Sequence, residues 1–339
     1  MKRLLVSSLK YIIGFGIGAL LIWWSLHSLS GKDLTDIKEA LLRARFWLLM
    51  PVFIILLSSH WFRAMRWKQL ITPLGYNPPI LQLICGLLIG YIGNQMIPRA
   101  GEILRCTSVA KANKIPAEKL IGTMVAERAF DVVCLGLITF GTIIMEYAYI
   151  ESYANDIFAS IRNGIEHGGN KRWVIIGILL LIIVGFIVLV RKLPHTKFGQ
   201  FIRRILKGIW EGLSSIRKVK NKPFFLLNTL MMWICYVLAT WVGCFALEET
   251  MHLTISTSVA MLVFGTFGII IAPGGLGAYP IAIQKTLNLY GINDTIGLAA
   301  GWILWIAQFI FTIIFGTLAY ILIYRIKPVS HEEHVVRTT

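Results

Sequence analysis

Six stretches of this 339-residue chain are apolar over about a full bilayer crossing, near 6–29, 46–65, 120–146, 173–191, 224–247 and 298–324. In hydrocarbon every backbone N–H and C=O needs an internal partner, which leaves the α-helix as the fold for segments of this kind. Composition agrees, with 56% hydrophobic residues and only 15% charged, where a soluble domain carries about 25% charged. The connections are too short to hold a soluble catalytic domain. The first segment is longer than the usual apolar core of a cleavable signal peptide, and no small-x-small site follows Trp23-Trp24, so it is expected to stay as a span. Cys85, Cys106, Cys134, Cys235 and Cys244 show neither metal spacing nor a disulfide framework. They are expected as small apolar packers, and no metal or cofactor is expected.

Two further apolar segments are interrupted. The run from Ile80 meets Asn94, Gln95, Pro98, Arg99, Gly101, Glu102 and Arg105 within a short distance. The run 259–272 meets Pro273-Gly274-Gly275-Leu276-Gly277-Ala278-Tyr279-Pro280. Proline removes a backbone donor and glycine weakens helix, so no straight helix passes through either stretch at reasonable cost. At membrane depth such breaks survive only against protein or a wet cavity, and they point to transport or ligand sites. A Gly/Pro kink in an ordinary packed helix is the alternative.

The net charge of +16 raises the question of nucleic acid, but its placement argues for a membrane surface. Ten Lys/Arg lie between Arg191 and Lys222, interleaved at helical spacing with Phe198, Phe201, Ile202, Ile205, Ile209 and Trp210. That pattern predicts an amphipathic helix over 197–220 lying on an anionic leaflet, as a connector or a regulatory sensor. Positive charge also chooses the topology. If the N-terminus is cytoplasmic and segments 79–119 and 254–291 dip in and return, 24 Lys/Arg fall inside and 8 outside. If both segments cross fully, the best split is 20 to 12. The expected fold is therefore an all-α polytopic membrane protein with about six full spans, two opposed re-entrant helical hairpins and a cytoplasmic amphipathic helix. Residues 1–328 form one transmembrane domain in this reading, and 329–339 form a cytoplasmic tail.

Four polar constellations carry chemistry. In the first, a helix restarting near Gly101 puts Glu102 in its first turn and Arg105 one turn later. Arg99 and Arg105 then either hold a lipid phosphate through bidentate donors or close a helix-end salt bridge. In the second, Glu127, Arg128 and Asp131 form one polar stripe inside a span, where each unpaired charge costs about 2.5–3.5 kcal/mol. Arg128 offsets Asp131 at i, i+3, and the remaining negative charge is expected to face Arg99 or Arg105, as a gate or as a structural ion network. The third is the glycine loop with Gly274, Gly275 and Gly277, read as the tip of the second hairpin with its amides and carbonyls exposed to a cavity. It lacks Gly-Lys-Ser/Thr, which disfavours nucleotide. The fourth is His60, Arg63, Arg66 and Trp67 at the end of a span, an interfacial anchor or a headgroup contact.

Arg63-x-x-Arg66-Trp67, Gly93-Asn94 through Pro98-x-x-Gly101-Glu102-x-x-Arg105, Glu127-Arg128-x-x-Asp131 and Pro273-Gly274-Gly275-Leu276-Gly277 together resemble the transmembrane region of lysylphosphatidylglycerol synthases. The resemblance covers nearly the whole chain. It implies an integral protein of the bacterial cytoplasmic membrane related to the module that moves aminoacylated phosphatidylglycerol between leaflets. The aminoacyltransferase domain of the bifunctional synthases is not expected, since the sequence ends at Thr339. One departure is Ala278-Tyr279-Pro280, where many relatives of that family carry an acidic residue.

The expectation is a flippase-like translocase for a phospholipid or lipid-linked headgroup, with both termini cytoplasmic. It is expected to be no enzyme and to bind no nucleic acid. Its partners are membrane lipids, anionic phospholipid first, with a homo-oligomer or a lipid-synthesis enzyme as further partners. The alternatives are a membrane-embedded lipid-modifying transferase and a non-transporting partner of a lipid-synthesis complex.

Overall fold

A computed structural model describes residues 31–96, 100–146 and 219–326, together with Gly16 and Trp23. Apart from those two residues, the expected span 6–29 lies outside the described residues. So do the span 173–191, Pro98, Arg99, the amphipathic helix up to residue 218, and the tail. Every regular element among the described residues is helical. In chain order these are α1 (Gly31–Arg43), α2 (Leu49–Ile71), α3 (Ile80–Met96), α4 (Ala100–Asn113), α5 (Ala117–Met145), α6 (Lys222–Cys244), α7 (Ile255–Ile271), α8 (Ala278–Leu289) and α9 (Asp294–Leu322).

Local sequence accounts for the helix ends. Asn221, Thr254 and Asn293 each cap the helix that follows, their side-chain oxygens accepting from Phe224 N, Thr257 N and Thr295 N. Pro223 sits in the first turn of α6, where a missing N–H costs nothing. The turn after α2 closes on Gly75 at φ 86°. Pro78-Pro79 then leads into α3, with Pro79 O accepting from Gln82 N and Leu83 N.

Four helical stretches are long and apolar enough to cross a membrane: Phe46–Leu74, Ala117–Met145, Lys222–Cys244 and Asp294–Leu322. They match four of the expected spans, and α2 runs on to Ile71, beyond the limit at 65 set by hydropathy. The 29 residues of α5 and of α9 rise roughly 43 Å, more than the ~30 Å of hydrocarbon. The 17 residues of α3 and of α7 rise only roughly 25 Å.

Both interrupted segments fold into helix pairs. α3 packs on α4 and α7 packs on α8. The first pair closes on glycine: a Cβ on Gly101 would collide with Gly90 O, and one on Gly90 would stand 2.9 Å from Gly101 O. In the second, a Cβ on Gly268 would lie 2.9 Å from both Ala278 O and Tyr279 Cα. Between α7 and α8 the chain turns at Gly274 and Gly275 with φ 61° and 74°, and again at Gly277 with φ 73°, the left-handed region that favours glycine. The tips of the pairs meet, because a Cβ on Gly274 would collide with the Gln95 amide. α2 packs along α6, and α9 packs against α1, α3 and α8.

Candidate functional site

The glycine contact between α3 and α4 brings α4 close enough to turn Arg105 inward, where it is only 3% exposed. Arg105 Nη2 donates to Glu127 Oε2 at 2.5 Å, and its guanidinium lies 3.7 Å from the Trp67 ring centroid. Such a cation over an indole contributes about 2 kcal/mol when desolvated. Trp67 is itself held by Nε1 donating to Thr123 Oγ1 at 2.9 Å. One stack therefore joins α2, α4 and α5.

Arg63 and Arg66, one turn apart on α2, supply the other cations. Arg63 Nε donates to Glu127 Oε1 at 2.8 Å and Nη2 to Asp131 Oδ2 at 2.9 Å. Its Nη1 reaches Tyr91 OH on α3 at 2.8 Å and Tyr236 OH on α6 at 3.4 Å. Arg66 Nη2 lies 3.1 Å from Glu127 Oε1 and 2.6 Å from Asp131 Oδ1. Arg66 and Glu127 are fully buried. His60 stacks near Tyr91 and Phe311, with ring centroids 4.9 and 5.5 Å away.

Three guanidinium groups thus share two carboxylates, which leaves one positive charge in the protein interior. Arg66 Nε and Nη1 and Arg105 Nε and Nη1 are buried with no hydrogen-bond partner among the described residues. Burying ions costs several kcal/mol each even when they are paired, and a buried polar atom without a partner costs about 1–3 kcal/mol more. The arrangement is thus a poor device for stability alone. Its orphan donors all have the sign that suits an oxyanion.

The structure places the other candidate residues as follows. Asn94 Oδ1 accepts from Gly101 N at 2.9 Å, so Asn94 caps α4. Glu102 does sit in the first turn of α4. Its partner is Arg128, at 3.5 Å and half-exposed, so Asp131 is free for Arg63 and Arg66. This corrects the expected Arg128–Asp131 pair. His60, Arg63, Arg66 and Trp67 are buried parts of the cluster, where an interfacial anchor or an interfacial headgroup contact was expected. Gly274 O accepts from Trp305 Nε1 at 2.8 Å, so this carbonyl of the glycine loop is bonded within the protein where exposure to a cavity was expected. Among the described residues no group of three His, Cys, Asp or Glu could hold a metal ion.

Tyr91, Tyr236, Thr123 and Trp305 had no role in the sequence reading, and Gln95 was named there only as part of the interruption. Tyr91 and Gln95 lie in the interrupted segment that drew attention. Tyr236 and Thr123 carry no local signal, since their roles exist only once α2 packs against α5 and α6.

The fold and this cluster define an all-helical, multi-pass membrane protein organised around an ion network inside its helices. The chain belongs to the family described as the lysylphosphatidylglycerol synthase TM region, which it matches over residues 11–316. It is similar to the UPF0104 membrane protein MJ1595 of Methanocaldococcus jannaschii, at 21% identity over 282 residues, which cover 77% of this chain and 80% of that protein. No solved structure matches the chain.

Proposed function

We propose that this protein is a translocase for a phospholipid or lipid-linked headgroup in a cytoplasmic membrane, with anionic phospholipid as its first partner. In this reading α3/α4 and α7/α8 are re-entrant pairs that dip in from opposite faces, and both chain ends are cytoplasmic. The lengths support it, because helices that rise roughly 25 Å fall short of the hydrocarbon thickness while their glycine-packed partners return the chain. No bond-making step is assigned to it.

The observation that carries the proposal is the buried set Arg63, Arg66, Arg105, Glu127 and Asp131, with its excess positive charge and its unpartnered guanidinium N–H groups. Moving a headgroup through hydrocarbon is costly because its charge loses water. A set of arginines already desolvated and held by two carboxylates lowers that cost by offering bidentate donors to phosphate. The carboxylates keep the arginines in place when no headgroup is present.

The test is purified protein in liposomes, reading the transbilayer movement of labelled anionic, zwitterionic and aminoacylated phospholipids. Movement of at least one class above protein-free liposomes is expected. A protein that moves none of them, while remaining folded and correctly inserted, is not a translocase. Variants in the cluster also separate transport from scaffolding, because a non-transporting partner would keep its cellular role when Glu127, Asp131 and Arg105 are neutralised at normal expression.

A further inference from the structure

The described chain repeats itself in the order and length of its helices. α2, α3, α4 and α5 have 23, 17, 14 and 29 residues. α6, α7, α8 and α9 have 23, 17, 12 and 29. Packing follows the same exchange. α2 lies on α3 as α6 lies on α7, and α4 lies on α5 as α8 lies on α9. Across the halves, α3 packs on α9 and α7 packs on α5.

The central helices run antiparallel. Arg63 of α2 meets Tyr236 of α6, whereas Leu70, further along α2, packs with Phe225, earlier in α6. A repeat whose central helices are antiparallel is inverted, so equivalent positions in the two halves face opposite sides of the membrane.

The two equivalent interfaces are in different states. The α3–α9 seam is shut: a Cβ on Gly316 would stand 2.9 Å from Ile92 Cβ and 3.1 Å from Leu88 O. Its end is tied by Gln82 Nε2, which donates to Ile323 O at 3.4 Å and to Ile326 O at 2.7 Å. The α5–α7 interface is parted around a cavity of about 60 Å³ lined by Thr139, Thr142, Ile143, Glu146, Val263 and Phe264. Gly136, three residues before Thr139 on the same face of α5, has nothing within 4 Å of an added Cβ. The end of this interface is tied by Ser256, which donates to Glu146, in the place that Gln82 takes in the other half.

The wall of the cleft selects its occupant. Thr139, Thr142 and Thr286 donate their hydroxyl protons to Leu135 O, Ile138 O and Ala282 O of their own helices. Methyl groups and rings are left to face the space, which suits an alkyl chain and offers a headgroup no donor from these hydroxyls. The cleft lies roughly 20 Å along α5 from Glu127, towards the opposite face from the charge cluster.

We infer that the α5–α7 cleft is a lateral portal that seats a short segment of one acyl chain of a membrane phospholipid, and that the α3–α9 seam is its counterpart on the other face, shut in this conformation. Opening of one accompanies closure of the other. This rests on the translocase reading, and it explains why Arg66, Arg105 and Glu127 are buried here: the portal on their side is the closed one. Alternation of this kind carries a headgroup past the arginines while its tails stay in lipid.

The experiment uses the full chain in vesicles containing a phosphatidylglycerol with a diazirine near the end of one acyl chain, followed by mass-spectrometric mapping of the photolabel. Label is expected to concentrate on Ile143 and Phe264, above the outward-facing control Leu226. Gly316→Leu wedges the seam, and label is then expected to rise around Leu81 and Tyr320 and to fall in the cleft. Equal labelling of the cleft and Leu226, or a pattern that Gly316→Leu leaves unchanged, overturns the inference. Should Gly316→Leu fail to fold, Thr139→Trp fills the cleft instead. It is expected to remove the cleft label alone, and persistence of that label overturns the portal. Photolabelling needs no net transport, so the expected pattern in a protein that moves no lipid would sink the translocase reading and leave the portal standing.

Discussion

Arg105 on α4 closes on Glu127 of α5 at 2.5 Å, and it does so while stacked 3.7 Å from the centroid of Trp67. The contact ties the helix pair α3/α4 to the span that follows it. Any movement of that pair away from α5 must break it.

Glu127→Gln leaves three buried guanidinium groups facing Asp131 as their one remaining carboxylate in the cluster. Removing one partner of a buried ion set costs about 3–5 kcal/mol. Thermal unfolding in detergent is expected to show a clear drop in Tm for Glu127→Gln, with a much smaller one for Glu102→Gln, whose pair with Arg128 is half-exposed and contributes about 0–1 kcal/mol.

Arg63→Lys keeps the charge and removes the fork. Arg63 serves Glu127, Asp131, Tyr91 and Tyr236 from three nitrogens, which one ammonium on a flexible stem cannot do. Lipid movement is expected to fall towards the protein-free rate although net charge is unchanged. Wild-type movement in Arg63→Lys would show that charge alone matters there.

Gly101→Ala is expected to part α3 from α4, because its Cβ collides with the backbone oxygen of Gly90. Overpacking of this kind costs about 1–3 kcal/mol or more. Gly122→Ala on α5 is the control, since nothing lies within 4 Å of its Cβ. Comparing the Tm of the two variants checks the close approach directly.

Trp305→Phe keeps an aromatic ring against Phe309 and removes the hydrogen bond to Gly274 O. The expected cost is about 0.5–1.5 kcal/mol, read as a modest Tm decrease. A drop as large as that of Glu127→Gln would mean that the glycine loop is held more tightly than this one bond implies.

Much of the architecture was legible because apolar length and backbone breakers are local signals. Asn94 to Arg105 marked the break between α3 and α4, and Pro273 to Pro280 marked that between α7 and α8. The charge cluster was half legible. Glu127 and Asp131 stood out as charges in an apolar run, and Arg105 was among the expected partners of the unbalanced charge. Arg63 and Arg66 were misplaced to the interface because hydropathy stops a span at its first cations, whereas α2 continues to Ile71 once the carboxylates of α5 neutralise them. Asp131 was assigned to Arg128 because i, i+3 spacing is visible in one helix and a partner from another helix is not. The inverted repeat is a matter of helix lengths and packing, and its halves differ in chemistry. Glu127 and Asp131 on α5 have no acidic counterpart in the interior of α9, whose one acidic residue is Asp294 in its first turn.

The most direct test of the central claim is the transbilayer rate of a labelled anionic phospholipid in proteoliposomes holding equal amounts of folded wild type or Glu127→Gln. The account predicts fast movement with the wild type and a rate near that of protein-free vesicles with Glu127→Gln. Wild-type vesicles no faster than empty ones, or a Glu127→Gln protein that moves lipid as well as the wild type, would contradict it.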